Sequence, residues 1–196
     1  VNVMRGGPGL GSIQPAQGDY FQATRGGGNG DYRTVVLSPA NIQEAVDFVQ
    51  EAFDIADLYR NPAMVVLDGL IGQMMEPIEW RPVPHRELPS KDGWATSGRK
   101  GRAEHNTLNS LYMDPEECDQ HNQHLAEKFA LMEKNEVRWE EVDCEDAELI
   151  ITAYGTPARI ALTAIETLRA EGVKAGLFRP ITVWPFPGGS GPGRTM

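Results

Sequence analysis

The hydrophobic positions of this chain form two similar strand–helix–strand patterns, of which the first lies in the N-terminal half. The apolar runs at residues 34–37 and 63–67 predict two buried strands. Apolar residues between them recur at steps of three and four, which predicts an amphipathic helix. Ser38 and Pro39 are typical of a helix N-cap followed by proline in the first turn. The predicted apolar stripe of this helix comprises Ile42, Ala45, Val46, Val49, Phe53 and Ala56.

The second pattern lies near the C-terminus, with strands predicted at residues 149–154 and 173–178. The helix between them is expected to begin with Thr156 as its cap and Pro157 at its first position, and to stop at Gly172. Because strands that are apolar throughout are typical of parallel sheets, both patterns predict parallel βαβ units and an α/β fold. The expected helix stripe comprises Ile160, Ala164, Ile165 and Leu168.

Composition divides the chain into four stretches, residues 1–80, 81–122, 123–187 and 188–196. The second is rich in proline, glycine and charge, which predicts a linker or an ordered surface excursion without regular structure. The third begins with a polar helix through Phe129 and Met132, and the glycine-rich last stretch is typical of a flexible tail. The opening residues 1–4 read as a strand already under way, so we expect the native protein to extend upstream.

Charge and cysteine content exclude several classes of partner. The 196 residues carry a formal net charge of -10, which disfavours binding to nucleic acid or to anionic membranes. No apolar run is long enough for a membrane span and no signal peptide opens the chain, so we expect a cytoplasmic protein. Cys118 and Cys144 cannot hold an iron–sulfur cluster alone and are expected to be reduced thiols. His121 and His124 could share one helix face, but a metal needs further ligands, so no metal site is predicted.

Arg5 is the most distinctive candidate for binding chemistry. It follows the first predicted strand and precedes a glycine-rich turn that starts with Gly6 and Gly7. Ligands of open α/β sheets bind beyond the carboxyl ends of strands, and a guanidinium there can bind a carboxylate with two hydrogen bonds. A surface ion pair would explain Arg5 equally well. The glycine pattern matches neither a P-loop nor a dinucleotide-binding turn.

Other polar positions have both a binding and a structural explanation. Gln17, Asp19, Gln22 and Asp68 could face a site or could cap a turn. The helix start at Gly155-Thr156-Pro157 could favour an anion, although most helix starts contact only water. Residues 179–187, with two large aromatic residues and prolines, indicate a rigid packing segment at an interface.

Several motifs are distributed over most of the chain. They are Arg5-Gly6-Gly7-Pro8, Gln17-Gly18-Asp19, Leu37-Ser38-Pro39, Ala153-Tyr154-Gly155-Thr156-Pro157-Ala158-Arg159, Gly172-Val173-Lys174-Ala175-Gly176-Leu177, and the run from Phe178 to Pro187. Together these motifs resemble the α subunit of the 2-oxoacid:ferredoxin oxidoreductases. Within that family, Gly9-Leu10-Gly11 is most similar to the branched-chain, 2-oxoisovalerate members.

The resemblance implies a thiamine diphosphate enzyme that oxidatively decarboxylates a 2-oxoacid, such as pyruvate or ketoisovalerate, to an acyl-CoA. Electrons would pass through iron–sulfur clusters in partner subunits (β, γ or δ) to ferredoxin. Thiamine diphosphate with Mg²⁺ would be shared with a partner subunit. Residues 1–80 would be part of the pyrimidine-side cofactor domain, and residues 123–187 a transketolase C-terminal-like domain. Arg5, with Gly6 and Gly7, would bind the substrate carboxylate.

The resemblance also implies that the chain depends on partners. The family's catalytic glutamate lies upstream of the Arg-Gly-Gly-Pro motif, and nothing here precedes Val1, so no catalytic residue is assigned. We expect an N-terminally truncated component that is inactive alone. Two alternatives remain, namely a non-catalytic assembly module and a transketolase-like enzyme component without redox chemistry.

Overall fold

A computed structural model describes residues 1–12, 14–82, 86–99 and 101–188. This part of the chain forms a mixed α/β fold, which confirms the expected class. The helices are α1 (Tyr20–Arg25), α2 (Ile42–Tyr59), α3 (Pro115–Glu136) and α4 (Gly155–Ala170). A short 3₁₀ turn covers Ile71–Gln73. The strands are β1 (Asn2–Met4), β2 (Val35–Leu37), β3 (Ala63–Asp68), β4 (Trp139–Val142), β5 (Leu149–Thr152), β6 (Ala175–Pro180) and β7 (Thr182–Trp184).

The first sheet has the strand order β1-β3-β2-β7. Strands β1, β3 and β2 are parallel, with Val36 beside Met64, so the βαβ unit predicted from the first hydrophobic pattern is confirmed. Strand β7 pairs antiparallel with β2 at the sheet's other edge. The first sheet is therefore completed by residues that lie more than a hundred positions further along the chain.

The second sheet has the order β4-β6-β5 and contains the second predicted βαβ unit. Strands β5 and β6 are parallel, and α4 connects them. Strand β4 pairs antiparallel with β6 and had not been predicted. Its central residues, Glu140 and Glu141, are exposed, so the strand carries no apolar run by which it could be recognised.

Each sheet has its own hydrophobic core. In the second, Ala158, Ala161 and Ile165 of α4 pack against Ala175 and Leu177 of β6. In the first, residues of α2, α3 and β7 pack against the parallel strands. This first core comprises Met4, Ala23, Val35, Val36, Leu37, Ile55, Tyr59, Val65, Val66, Met132, Val183 and Trp184.

The predicted apolar stripes of both long helices need correction. In α4 the expected Ile160 and Ala164 are exposed, because the buried face is the neighbouring one that carries the small residue Ala161. In α2, Phe53 is 71% exposed, whereas Ile55 and Tyr59 are buried. Apolar residues at helical spacing occupy two adjacent faces of α2, so periodicity alone did not indicate which of them faces the sheet.

The predicted helix starts were also displaced. Helix α2 begins at Ile42, and its N-cap is Asn41, whose side chain accepts a hydrogen bond from the Glu44 amide. Ser38 is instead buried in extended chain, where its amide donates to the carbonyl of Ile181. Helix α3 begins at Pro115, inside the stretch expected to lack regular structure, because Asp114 caps it with two hydrogen bonds.

Candidate functional site

The carboxyl ends of the three parallel strands bring sequence-distant polar residues to one edge of the first sheet. Arg5 follows β1, Ser38 follows β2, and Asp68 is the last residue of β3. Because parallel strands end at the same edge, these residues share the place where ligands bind in open α/β sheets.

A closed glycine loop follows β1. The amide of Gly6 donates to the carbonyl of Gln14 at 3.0 Å, and the amide of Ser12 donates to the carbonyl of Gly6 at 2.7 Å. Gly11 has a φ of +60°, and a Cβ atom there would lie 1.8 Å from the oxygen of Gly6. Only glycine fits at position 11, so the loop depends on this residue.

Arg5 presents part of its side chain outward from this loop. Its Nε donates a hydrogen bond of 3.1 Å to the carbonyl of Leu10, and the residue is exposed. Within the residues that the structure describes, its two Nη nitrogens have no hydrogen-bond or ion-pair partner, so the surface ion pair considered from sequence is not formed there. Gly7 is exposed beside it and Gly6 is half-buried.

Asp68 connects the first sheet to the N-terminus of α4. Its Oδ1 accepts a hydrogen bond of 2.7 Å from the Thr156 hydroxyl, and its Oδ2 accepts one of 2.9 Å from the Thr156 amide. The amides of Leu70 and Ile71 also donate to Oδ1. The N-cap position of α4 is Tyr154, not Thr156 as predicted. The anion at this helix start is therefore a carboxylate of the chain itself.

Gly155 permits this close packing. Its φ is +62°, and a Cβ atom would lie 3.0 Å from Nε2 of Gln17 and 3.1 Å from Oδ2 of Asp68. The Oγ of Ser38 would be 3.7 Å away. Ser38 is fully buried, and its Oγ has no hydrogen-bond partner in the described chain. The edge thus contains one buried hydroxyl with unused hydrogen-bonding capacity.

Gln17 and Tyr154 connect the loop after β1 to the second sheet. The Gln17 side-chain amide donates to the carbonyl of Tyr154 at 2.9 Å. Burial, together with the nearby Tyr20, Asp68 and Asp19, raises the pKa of Tyr154 to about 12. Tyr154 is therefore a neutral hydrogen-bonding group at ordinary pH. The structure brings Gln17 into this edge, whereas the proposed Gln22 is exposed on α1.

An apolar groove of about 380 Å³ lies next to the Asp68–Thr156 contact. Arg159 stands in its wall and forms an ion pair of 2.6 Å with Glu76. Sequence reasoning did not find this groove, because it placed Ile160 in the buried stripe of α4, whereas the structure leaves Ile160 63% exposed. The groove is lined by Leu70, Met74, Thr156, Arg159, Ile160 and Thr163.

The histidines and cysteines are dispersed. The His121 ring stacks on Tyr112 with ring centroids 4.5 Å apart, and Cys144 is buried in the loop between β4 and β5. In the described ranges no group of three or more His, Cys, Asp or Glu side chains could hold a metal ion. His85 lies outside those ranges. Over the same part of the chain, no helix is both long and apolar enough to cross a membrane.

The fold defines an α/β protein with polar residues at the carboxyl edge of a parallel sheet, and comparison with known proteins identifies its family. A family model described as pyruvate flavodoxin/ferredoxin oxidoreductase, thiamine diphosphate-binding, matches residues 1–143. A second, the pyruvate:ferredoxin oxidoreductase core domain II, matches residues 147–190. The chain therefore belongs to the pyruvate flavodoxin/ferredoxin oxidoreductase family.

Individual relatives agree with this family. The chain is 48% identical over 189 residues to the ketoisovalerate oxidoreductase subunit VorB of Methanothermobacter thermautotrophicus, covering 95% of this chain and 53% of the relative. It is 33% identical to the 2-oxoglutarate synthase subunit KorA of the same organism, covering 95% of this chain and 56% of that protein. The chain thus spans about half the length of the curated relatives it matches.

A solved structure shows the same fold. The 2-oxoglutarate:ferredoxin oxidoreductase from Magnetococcus marinus superposes with a TM-score of 0.75 at 20% sequence identity. The match covers 94% of this chain and 37% of that chain, and that structure contains 2-oxoglutarate, coenzyme A and succinyl-CoA. At this identity the comparison supports the arrangement of the strands and helices.

Proposed function

We propose that this chain is a component of a thiamine diphosphate-dependent oxidoreductase that converts a branched-chain 2-oxoacid to an acyl-CoA and reduces ferredoxin. The family match supports the reaction class. The identity of 48% to a ketoisovalerate oxidoreductase subunit, against 33% to a 2-oxoglutarate synthase subunit, favours a branched-chain substrate. The observation that carries the proposal is the exposed Arg5 guanidinium after β1, whose Nε is held by the carbonyl of Leu10.

Arg5 would bind the carboxylate of the 2-oxoacid. Its Nε is held by the carbonyl of Leu10, which fixes the plane of the guanidinium and leaves both Nη atoms for a ligand. A two-pronged contact of this kind orients the keto group as well as attracting the charge. Gly6 and Gly7 add no side chain that would block the approach of the substrate.

The described residues of this chain could hold only part of thiamine diphosphate and its Mg²⁺. Thiamine diphosphate supplies carbanion stabilisation when it is bound. Mg²⁺ and the diphosphate need a group of oxygen ligands, and the described ranges contain no such acidic cluster. We therefore assign the diphosphate and Mg²⁺ to a partner subunit and derive no step through the cofactor. The buried Ser38 hydroxyl is the atom of this chain best placed to meet an additional polar group at the edge.

The remaining parts of the proposal concern the complex. The first sheet would belong to the pyrimidine-side cofactor domain and the second to a transketolase C-terminal-like domain. The iron–sulfur clusters would lie in the β, γ or δ subunits, and coenzyme A and ferredoxin would bind to the assembled complex. The location in the cytoplasm stays a prediction from the sequence.

Steady-state kinetics of the complete complex test the role of Arg5. We expect Arg5→Lys to raise the KM for 2-oxoisovalerate by about tenfold to a hundredfold, because a charge-assisted hydrogen bond contributes about 1.5–3 kcal/mol. The affinity for thiamine diphosphate should not change. The matched control is Arg33→Lys, because the Arg33 side chain bonds only to nearby carbonyls in the described part of the chain. An unchanged KM in Arg5→Lys would contradict the assignment.

Reduction of a dye distinguishes the proposed oxidoreductase component from the two alternatives, a transketolase-like component and an assembly module. The purified chain alone, given thiamine diphosphate, a 2-oxoacid and coenzyme A, should reduce no viologen dye, whereas the assembled complex should reduce it. A complex that turns over sugar phosphates without reducing the dye would favour a transketolase-like component. A complex that keeps full activity without this chain would favour an assembly module.

A further inference from the structure

A small polar pocket lies in the segment between β3 and α3, among residues that the proposed function does not use. It has a volume of about 150 Å³. This segment is anchored to α2 and its C-cap, because Lys91 forms an ion pair with Asp57 and the Arg60 guanidinium lies 4.9 Å from the Trp94 ring centroid. The pocket is lined by Ala95, Thr96, Gly98, Arg102, His105 and Asn106.

Arg102 contributes a positive charge that no described carboxylate neutralises. Its Nη1 donates to the carbonyl of Asp92 at 3.1 Å, and its Nη2 contacts the carbonyls of Ala95 and Gly98. Its Nε is buried and has no partner in the described part of the chain. Six other arginines form ion pairs with acids there, namely Arg81, Arg86, Arg138, Arg159, Arg169 and Arg179.

Carbonyl oxygens orient the Arg102 guanidinium but leave its net charge intact, and its buried Nε still lacks a partner among the described residues. The nearby acids do not reach it. Glu104 is exposed and forms no ion pair with it, and the Asp92 carboxylate accepts a hydrogen bond from the Ser90 hydroxyl. Arg99, also exposed, adds positive charge to the same loop.

The other lining groups are suited to an anion with several oxygens. The Asn106 side-chain amide donates to the carbonyls of Asp92 and Ala95 at 2.9 Å each, so it locks the same loop that holds Arg102. Thr96 and His105 can donate an O–H and an N–H from the exposed side of the pocket. The space corresponds to about five water molecules, which is enough for a tetrahedral oxyanion.

We propose that this pocket binds a phosphate group through Arg102, Thr96 and His105. The lining supplies a hydroxyl, an imidazole and a positively charged guanidinium, which together can serve several oxygens of a phosphate dianion. The phosphate can come from free inorganic phosphate or from a phosphorylated cofactor. The proposal concerns a different region from the Arg5 edge and does not depend on the function proposed above.

Nitrogen–proton NMR spectroscopy of the chain, recorded on the arginine Nε–H signals, tests the pocket directly. Titration with inorganic phosphate at constant ionic strength should shift the Arg102 signal in a saturable manner. Arg102→Gln should weaken phosphate binding at least about tenfold, because it removes the charge and its hydrogen bonds. A second titration uses coenzyme A. Tighter binding of coenzyme A than of inorganic phosphate would indicate that the phosphate group bound by the pocket belongs to a cofactor.

Two further variants test the pocket independently if Arg102→Gln fails to fold. Thr96→Val and His105→Gln change exposed side chains, keep Arg102 in place, and should each weaken binding about threefold or more. The control Arg33→Gln should bind phosphate as the unmodified chain does. Shifts that are linear in phosphate and equal to those produced by sodium chloride would overturn the proposal, as would unchanged binding in both exposed-residue variants.

Discussion

Glu136 is the most deeply buried carboxylate of α3, with 1% of its surface exposed. The Tyr59 hydroxyl donates to its Oε1 at 2.8 Å, and the Arg86 guanidinium binds both carboxylate oxygens. Arg86 also reaches Glu51, which in turn binds Arg138. These contacts connect α2, α3 and the segment before α3, so a few buried charges hold together elements that are distant in the sequence.

The protonation of Glu136 determines when this contact stabilises the fold. Burial opposes the charged form, but the hydrogen bonds from Arg86 and Tyr59 prevail and lower the pKa of Glu136 below its usual value of 4.5. A carboxylate with a lowered pKa in the folded state contributes stability at higher pH, and the contribution is lost as the pH falls through the folded pKa. Burial raises the pKa of Tyr59, so its contribution is present below its usual pKa of 10.0 and is lost above it.

We predict that Glu136→Gln lowers the free energy of unfolding by about 3 kcal/mol at neutral pH, because it removes a buried carboxylate and leaves the half-buried charge of Arg86 partly uncompensated. The difference from the unmodified chain should shrink as the pH falls below the usual glutamate value of 4.5 and through the lowered pKa of Glu136. Urea unfolding at several pH values measures both effects. The control Asp47→Asn breaks the ion pair with the more exposed Arg81 and should cost less than about 1 kcal/mol. A pH-independent difference would contradict this account.

The roles of individual residues could be predicted from the sequence only in part. Arg5 could be singled out because it follows a strand and precedes glycines. Arg102 could not, since its hydrogen bonds to backbone carbonyls and its buried Nε depend on the folded path of an irregular segment. Glu136 resembled any other charge on a polar helix, because its burial depends on contacts with Tyr59 and Arg86.

At the scale of elements, α4 illustrates how a tertiary contact replaces a local cap. The sequence predicted Thr156 as the N-cap because a hydroxyl precedes a proline. The Thr156 hydroxyl instead donates to Asp68, and the Asp68 carboxylate also accepts the Thr156 amide. Asp68 is 88 residues away in the sequence, so no local pattern could reveal this arrangement. The presence of α4 was predicted correctly because apolar residues at helical spacing indicate a helix, although they did not identify its buried face.

We predict that Asp68→Asn lowers the free energy of unfolding by about 2 kcal/mol, since an amide group cannot accept hydrogen bonds from all four donors. Thr156→Val removes only the hydroxyl contact and should cost about 1 kcal/mol. Hydrogen exchange at the first turn of α4 should increase in both variants. The matched control is Asp114→Asn at the exposed N-cap of α3, where asparagine caps nearly as well. Equal effects at Asp68 and Asp114 would argue against this interpretation.

For the whole molecule, Arg179 is the buried charge that connects the two sheets. It lies in β6, and its side chain is 7% exposed. It binds Glu44 of α2 and, at 2.9 Å, Glu140 of β4. Burial disfavours its charge, but these two carboxylates prevail and raise the pKa of Arg179. Glu44 also accepts the Ala40 amide, so the same carboxylate helps to start α2.

We predict that Arg179→Met destabilises the chain by about 3 kcal/mol, because Glu44 loses its cationic partner in a partly buried place. Hydrogen exchange should increase at the first turn of α2 and in β7. The matched control is Arg159→Met, which breaks an ion pair with Glu76 that also joins α4 to the region after β3. Arg159 is 45% exposed, so its loss should cost less than about 1 kcal/mol. A similar cost for both variants would show that burial is not the deciding factor.

The strand order explains which parts of the architecture could be predicted. Both βαβ units follow from contiguous apolar runs, and both were found. Strand β7 could not be assigned to the first sheet, because Thr182, Val183 and Trp184 follow directly after β6 and have no local feature that favours one sheet over the other. The choice is made by the packing of Trp184 and Val183 among the residues of the first core.

The pairing of β7 with β2 has a practical consequence for the design of shortened versions of this protein. After β3 the polypeptide adds α3 to the first core, builds the second sheet from β4, β5 and β6, and then returns with β7 to finish the first sheet, so the unit from β4 to β6 is inserted rather than appended. A cut between residues 143 and 147, where the two family models meet, would strip an edge strand from the earlier unit and expose Val36. Shortened versions should therefore excise the insertion and rejoin the two flanking pieces.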